Sequence, residues 1–342
     1  MADEISPRRA LKAVLKGELP PRPLLMPILF SLGSRLENVV MRDFLSNPTK
    51  IANALRQIRS VLKVDGLACY FDPFLEVEAL GCKLNWVPDG PSGLVCPNFA
   101  DTEELRQKLH SPDKLAKMGR ISVASQVLQR LKVMLKDEPA LMVAVSGPLT
   151  LAARLAAGSG GDNGPLVPDL IEFAAEVTAH VSQTFVEAGA DVVLLVESAP
   201  RDLSPAMCDS WASLLDPIVN VIRFYEALPV LLLGNSTRAQ DFPPARFRRD
   251  GKCVLCTGWS DAEFVGDKTQ EPAGLGIALP ACIFSGEHSD FGAQVHTTGR
   301  FMIGRHPIFL TSAEDIPATA DLKHLAWILD IIRGIFSQVV QG

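Results

Sequence analysis

The segment most informative about architecture reads Tyr70-Phe71-Asp72-Pro73-Phe74-Leu75-Glu76-Val77-Glu78-Ala79-Leu80-Gly81. The apolar run at 66–71 predicts a buried strand, and this run stops at the acid Asp72. Enzymes with parallel sheets carry their reactive groups at the carboxyl ends of strands. The segment therefore predicts that Asp72 lies at a strand end and is a candidate site residue.

Similar apolar runs rich in Val, Leu and Ile recur along the chain and predict parallel strands that are buried on both faces. They occupy residues 24–30, 66–71, 141–146, 191–196, 229–234, 253–257, 277–284 and 300–304. Cap residues followed by Pro, together with glycines at the expected carboxyl ends, predict the intervening helices. These cover about 7–16, 48–63, 112–136, 168–188, 205–226 and 318–337.

This alternation predicts an α/β fold, a single (β/α)8 TIM-type barrel that forms one domain over residues 1–342. An open, doubly wound sheet is the alternative. No Gly-x-Gly-x-x-Gly motif follows any predicted strand, so the sequence does not support a dinucleotide site.

Composition excludes several classes of function. A formal net charge of -6 argues against a nucleic-acid surface. No apolar run approaches the roughly 20 residues that span a bilayer, and the N-terminus does not read as a secretory signal. Seven scattered cysteines do not look like a disulfide framework. We therefore expect a soluble, cytoplasmic protein in a reducing environment, without a membrane or nucleic-acid partner.

In a barrel, the residues that follow the strands meet at one mouth. The predicted strands place the following residues there: Ser31, Asp72, Ser146, Glu197, Asn235, Ser236, Thr257, Ser285 and His306. Asp72, Glu197 and His306 suit proton transfer, and we take them as the candidate catalytic residues. Asp72 can also be a turn or cap residue, and His306 can also be a surface-loop residue.

Other polar residues near the predicted strand ends suit substrate binding. Arg35 follows the first strand and can hold an anionic group through two parallel hydrogen bonds, although a helix surface is an equal alternative. Asn235 and Ser236 can orient a substrate or simply form a turn. Together with Ser146, these are the candidate binding residues.

A metal site stays open. Cys253 and Cys256 form a Cys-x-x-Cys motif, but residues three apart on a strand point to opposite faces, so the pair chelates a metal only if a turn replaces the strand. No standard zinc spacing is present. The candidate ligands are His306 and Cys256, with Cys282, His288 and His296 as further donors.

Four segments resemble the uroporphyrinogen decarboxylase superfamily, which includes corrinoid-dependent methyltransferases. They are residues 8–11 with Gly17 and Pro27, residues 72–81, residues 146–152 and residues 301–316. The resemblance implies a single barrel with the active site at its mouth. It also implies that Asp72 matches the catalytic Asp of the decarboxylases and that His306 lies near their late His.

Two departures from the family pattern bear on function. The decarboxylases carry paired arginines after the first strand to hold propionates, whereas residues 30–35 contain only Arg35, which argues against a polycarboxylate porphyrinogen. The methyltransferases usually place a zinc-binding His-x-Cys after the fifth strand and a Cys after the last. Here residues 231–234 and 304–307 contain neither motif, so zinc requires a rebuilt site.

Our leading hypothesis is therefore a methyltransferase that moves a methyl group between a small substrate and a corrinoid on a partner protein, or tetrahydrofolate. The alternatives are a decarboxylase or lyase acting on a small carboxylate, and a non-catalytic binding barrel. The expected partners are a small-molecule substrate, a corrinoid protein and, for assembly as a homodimer, a second copy of the chain.

Overall fold

The structure is a computed structural model. It describes residues 6–87, 90–96, 112–136, 138–158, 166–198, 205–234, 253–258, 275–285 and 307–339. Among the helices in these ranges, none combines the length and the apolar character needed to cross a lipid bilayer.

The strands fall into one large parallel sheet and one small antiparallel hairpin. The large sheet contains β1 (Leu24–Leu25), β2 (Gly66–Tyr70), β5 (Ala140–Ser146), β6 (Val192–Glu197), β7 (Leu228–Leu233), β8 (Val254–Gly258), β9 (Leu275–Leu279) and β10 (Phe309–Ser312). The hairpin contains β3 (Lys83–Val87) and β4 (Gly90–Val95).

The order of the large sheet is that of a (β/α)8 barrel. Its eight strands run β1-β10-β9-β8-β7-β6-β5-β2, and every neighbouring pair is parallel. The two end strands meet as well, because the Asp65 amide donates to the Leu25 carbonyl oxygen at 2.9 Å. The Asp65 carboxylate accepts from the Leu25 amide at 2.7 Å and binds both terminal nitrogens of Arg22. The predicted barrel is thus confirmed as a nearly closed sheet.

The helices lie between the strands in sequence. They are α1 (Pro7–Leu15), α2 (Leu32–Leu36), α3 (Met41–Leu45), α4 (Pro48–Leu62), α5 (Leu75–Ala79), α6 (Pro112–Leu115), α7 (Ile121–Leu135), α8 (Pro148–Gly158), α9 (Pro168–Ala188), α10 (Pro205–Phe224), α11 (Ala281–Ser285) and α12 (Leu322–Val339). The cap signal at Asn47 is confirmed, since its side chain accepts from the amides of Thr49 and Lys50.

Apolar side chains form two layers, because successive residues of a strand point to opposite faces. On β5, Met142 and Ala144 fill the barrel interior, whereas Val143 packs outward against the helices. The α1 residues Ala10, Leu11 and Val14 join the interior cluster and so pack against the barrel. Arg8 fixes this helix by an ion pair to Asp191, which directly precedes β6, so α1 covers the amino-terminal end and the functional mouth is the opposite end.

Three sequence expectations are corrected by the structure. The single helix expected at 112–136 is two helices, because Gly119 adopts a left-handed conformation with φ +51° between α6 and α7. The run at 277–284 is a strand only to Leu279, and α11 begins at Ala281 after Pro280. The eighth strand is Phe309–Ser312, whereas the expected run at 300–304 lies outside the described residues.

A fourth corrected expectation concerns the cysteines. Cys82 and Cys96 form a disulfide, although the spacing of the cysteines did not suggest one. Lys83 pairs with Val95 in the hairpin, so the two cysteines occupy the next opposed position, at the open end of the hairpin. A pairing of this kind depends on strand register and therefore could not be derived from cysteine counting.

Candidate active site

Asp72 follows β2 at the mouth of the barrel, and its side chain is only 1% exposed. One carboxylate oxygen, Oδ2, lies 2.5 Å from Arg120 Nη1. The other, Oδ1, accepts from the Phe74 amide at 3.0 Å, so Asp72 also shapes the turn that leads into α5. Burial raises the pKa of Asp72, and the positive charge of Arg120 opposes this rise.

Arg120 is the residue that the sequence reasoning missed. It lies in the break between α6 and α7, and its Nε donates to Glu78 Oε2 at 2.6 Å. Its guanidinium carbon is 5.1 Å from the centre of the Trp86 ring on β3, within the range of a cation–π interaction. Arg120 therefore connects the strand-end acid Asp72 to α5 and to the hairpin. Asp72 itself was the available signal, because a buried acid requires a partner, but no local pattern identifies Arg120 as that partner.

A second cluster joins the ends of β2 and β5. Glu76 on α5 is 1% exposed and accepts from the Ser146 amide at 2.9 Å and from the Ser146 hydroxyl at 2.8 Å. Arg154 on α8 donates to the same hydroxyl oxygen at 2.7 Å. Burial raises the pKa of Glu76 and lowers that of Arg154, so the site holds these opposite charges largely away from water.

Glu197, the last residue of β6, binds the first turn of α8. Its carboxylate accepts from the amides of Leu149 and Thr150 at 3.2 and 2.9 Å, from the Thr150 hydroxyl at 2.6 Å and from Trp211 Nε1 at 2.8 Å. A helix N-terminus presents unpaired N–H groups and a partial positive charge, which a carboxylate satisfies. Burial nevertheless raises the pKa of Glu197.

Gly147 makes this arrangement sterically feasible. A Cβ at this position would lie 2.3 Å from the Glu197 carboxyl carbon, closer than side-chain atoms approach. The segment Gly147-Pro148-Leu149-Thr150, which carried the sequence resemblance, is thus a carboxylate-binding turn: a residue without a side chain, then a helix start, then a hydroxyl donor.

A third polar group lies where β1 and β10 end. Asp315 accepts from the amides of Phe30 and Ser31, each at 2.9 Å, and from the Ser31 hydroxyl. Burial raises the pKa of Asp315 to about 7, with the Ser31 hydrogen bonds opposing the shift. Because β10 ends at Ser312, Asp315 lies just after this strand, behind the exposed Glu314, whereas His306 precedes the strand in the chain.

Arg35 lines a cleft beside this group. The cleft has a volume of about 740 Å³, and Ser31, Ser34 and Thr319 also line it. Arg35 Nη1 donates to the carbonyl oxygens of residues 318–320 at 3.4, 3.2 and 3.0 Å, so part of its hydrogen-bonding capacity holds the chain before α12.

The structure therefore brings Asp72, Ser146 and Glu197 to the ends of three adjacent strands, as the sequence predicted, and places Arg35 on the β1 side. Asn235, Ser236 and His306 lie outside the described residues, as do His288 and His296. Their roles stay predictions.

Cys256 lies inside the barrel, opposite Gly276 of the neighbouring strand β9, and burial raises the pKa of its thiol. Cys253 packs on the outer layer, so the two cysteines point to opposite faces, as expected for a strand. Within the described ranges, no group of three or more His, Cys, Asp and Glu side chains is arranged to hold a metal ion. The part of the chain that the structure describes therefore does not by itself provide a zinc site at Cys256.

A family model for uroporphyrinogen decarboxylase (URO-D) matches residues 6–232, which is more than half of the chain. The protein therefore belongs to the uroporphyrinogen decarboxylase family, as the sequence resemblance indicated. The matched region includes Asp72, Arg120, Ser146 and Glu197, and thus the whole cluster on the β2, β5 and β6 side of the mouth.

Two curated relatives represent two activities. Methylated-thiol--coenzyme M methyltransferase of Methanosarcina mazei is 28% identical over 160 residues, 46% of this chain and 42% of that protein. Uroporphyrinogen decarboxylase of Myxococcus xanthus is 27% identical over 179 residues, 49% of this chain and 50% of that protein. The chain thus matches half or less of the length of each relative, and both relatives are enzymes.

A solved structure supports the fold over nearly the whole chain. A methyltransferase from Methanosarcina mazei superposes with a TM-score of 0.72 at 16% identity, covering 98% of this chain and 99% of its own. At this identity the similarity establishes the barrel fold alone.

Proposed function

We propose that this protein is a methyltransferase that moves a methyl group between a small substrate and a corrinoid carried by a partner protein, or tetrahydrofolate. The observation that carries the proposal is the buried cluster at the ends of β2, β5 and β6, in which Asp72 is held by Arg120. This cluster lies within the family match, and a relative named for methyl transfer from methylated thiols aligns with the chain.

The chemistry of such a reaction needs a group that handles one proton. A thiol that accepts a methyl group must lose its S–H proton, and a free thiol has a pKa near 8.5. A buried carboxylate with a raised pKa is a stronger base than an exposed one and therefore better matched to this task. Asp72 fits this role by burial, and in the reverse direction its protonated form would return the proton.

The remaining polar groups have positioning roles in this proposal. Glu197 already accepts four hydrogen bonds, three of them from the first turn of α8. It thereby fixes the helix that carries Arg154, and Arg154 in turn contacts Ser146. Accurate placement of a bound methyl donor or acceptor is the main physical requirement for in-line transfer.

A corrinoid or tetrahydrofolate, when bound, supplies or receives the methyl group itself. Neither is part of this structure, and the described residues do not provide a fitting set of ligands for a zinc ion. What this chain contributes is the nearly closed barrel, the buried acid Asp72 and the charges that orient it.

The experiment uses methylcobalamin as the corrinoid probe and, separately, methyltetrahydrofolate. Purified protein is incubated with each donor and a panel of thiols that includes coenzyme M and small alkyl thiols. Methylated products are then measured by mass spectrometry. Product that depends on the protein and saturates with thiol supports the proposal. Product no higher than in a protein-free blank, for every pair in the panel, would overturn it.

The cleft beside Arg35 favours a second candidate, a lyase acting on a small carboxylate. Arg35 gives the cleft a cation for a carboxylate. Ser31, which also lines the cleft, binds Asp315, and the pKa of Asp315, about 7, suits protonation of a carbanion. Release of labelled carbon dioxide from a panel of carboxylic acids tests this activity, and Arg35→Ala should then raise KM. Absence of release excludes it.

A further inference from the structure

The small hairpin of β3 and β4 lies against the candidate site. Its strands have only five and six residues, and an isolated two-stranded hairpin of this size is marginally stable in water. The Cys82–Cys96 disulfide closes its open end, and Met41 of α3 lies beside Gly90 at the other end. A covalent link of this kind limits the conformations that the hairpin can adopt.

Alternation along β3 directs one large side chain toward the site. Lys83, Asn85 and Val87 are exposed, whereas Leu84 and Trp86 are partly buried. The Trp86 ring lies 5.1 Å from the Arg120 guanidinium carbon and 5.5 Å from that of Arg42. An aromatic face attracts a guanidinium and also excludes water from it.

Arg120 itself has few hydrogen bonds for a buried guanidinium. Its side chain is 7% exposed, and within the described residues Nη1 and Nη2 have no partner that meets hydrogen-bond geometry. Nε binds Glu78, and Nη1 contacts Asp72 as an ion pair. The orientation of the guanidinium plane therefore depends on what packs against it.

We propose that Arg120 is the positioning residue for the Asp72 carboxylate, and that Trp86 on the disulfide-closed hairpin holds Arg120 against it. The catalytic consequence of this arrangement rests on the proposed function, because it assumes that Asp72 handles the proton. The physical arrangement itself does not depend on that assumption.

Loss of Arg120 changes the balance of charges around Asp72 in a known direction. The charged groups nearby are Glu78, which disfavours the Asp72 carboxylate, and Arg154, which favours it. Tyr70 also adjoins this cluster, but burial raises the pKa of its hydroxyl, so it stays neutral in the pH range of the test. Without Arg120, the pKa of Asp72 rises further above its unfolded value. Folding then favours protonated Asp72 more strongly, and this contribution to stability is lost as pH rises through the folded pKa.

The test measures unfolding by urea between pH 5 and pH 8 and needs no substrate. Arg120→Gln should increase the equilibrium constant for unfolding more at pH 8 than at pH 5. The difference should be about tenfold for each unit by which the substitution raises the folded pKa of Asp72. In the Asp72→Asn background the same substitution should have an effect that does not vary with pH. Arg120→Lys, which keeps the charge, should restore part of the wild-type pH profile.

The hairpin is tested with two further variants. Trp86→Leu and the double variant Cys82→Ser with Cys96→Ser should each shift the pH profile in the same direction as Arg120→Gln, by a smaller amount.

A pH-independent effect of Arg120→Gln would overturn the role of Arg120. Persistence of its pH dependence in the Asp72→Asn background would assign that role to Glu78 instead, and unchanged profiles in the hairpin variants would overturn the role of Trp86. Failure of methyl transfer would leave all these results unaffected, so the two proposals can be separated.

Discussion

Gly147 shows how one residue supports the architecture of the site. A Cβ there would lie 2.3–2.4 Å from the carboxyl carbon and Oε1 of Glu197, which is itself held by four hydrogen bonds. Gly147→Ala must therefore displace the carboxylate or the first turn of α8. We expect a loss of about 1–3 kcal/mol in the free energy of unfolding, measured by urea titration.

Gly334→Ala is the matched control for that substitution. Gly334 lies in α12, and no atom lies within 4 Å of a Cβ built on it. Ala is favoured over Gly within a helix, so this variant should gain up to about 1 kcal/mol. If the two variants behave alike, the steric account of Gly147 is wrong.

Asp315 provides a pH prediction at the same scale. Its folded pKa of about 7 lies above that of an unfolded Asp, about 3.9. Folding therefore favours the protonated form, and the contribution to stability is complete below about pH 4 and is lost as pH rises through about 7. The free energy of unfolding, measured with urea, should fall between pH 5 and pH 8 by more in the wild type than in Asp315→Asn. Parallel pH profiles for the two proteins would contradict the raised pKa.

The sequence predicted the location of those site residues whose place depends only on their position at the end of a strand. Asp72, Ser146 and Glu197 lie at strand ends because apolar runs stop at the residues before or at them. Arg120 could not be found in the same way, because its contact with Asp72 joins residues far apart in sequence and no local pattern marks it. The four hydrogen bonds of Glu197 could likewise not be predicted, because they depend on how the helices pack against β6.

At the scale of elements, the buried parallel strands were the most predictable part of the chain. Runs such as 141–146 and 229–234 contain no charged residue and are mostly apolar because both faces are covered, and they fall on β5 and β7. The last strand was misplaced because the runs at 300–304 and 308–310 are both short and apolar. Nothing within either run decides which one pairs with β1, and the structure pairs Leu24 with Phe309.

The hairpin offers a prediction about its disulfide. The cysteines are 14 residues apart, and closing a loop of about that length in the unfolded chain contributes about 3 kcal/mol. The double variant Cys82→Ser with Cys96→Ser should therefore have a free energy of unfolding about 3 kcal/mol lower than that of the oxidised wild type. The measurement is urea unfolding in buffer without reductant.

Reductant gives the control for the hairpin prediction. A dithiol should lower the stability of the wild type toward that of the double-serine variant and leave the variant unchanged. Alkylation followed by mass spectrometry should find Cys82 and Cys96 protected before reduction. Free thiols at both positions in the purified protein would contradict the disulfide.

At the scale of the whole molecule, the barrel could be predicted because strands and helices alternate along the chain, and membership of the uroporphyrinogen decarboxylase family agrees with it. The substrate and the methyl carrier could not be predicted, because they depend on which groups converge at the mouth of the barrel. Asn235, Ser236 and His306, which the sequence assigns to the same mouth, lie outside the described ranges. The proposed activity therefore rests on the Asp72 side of the mouth.

The most direct measurement compares wild type, Asp72→Asn and Asp330→Asn in the methyl-transfer assay with methylcobalamin and thiols. Asp330 pairs only with its helix neighbour Arg333 among the described residues and is exposed, so its variant controls for loss of an acid as such. Removal of a proton-handling group should lower the rate of Asp72→Asn by about 10²- to 10⁴-fold, with Asp330→Asn near wild type. A folded Asp72→Asn variant that keeps the wild-type rate would contradict the account.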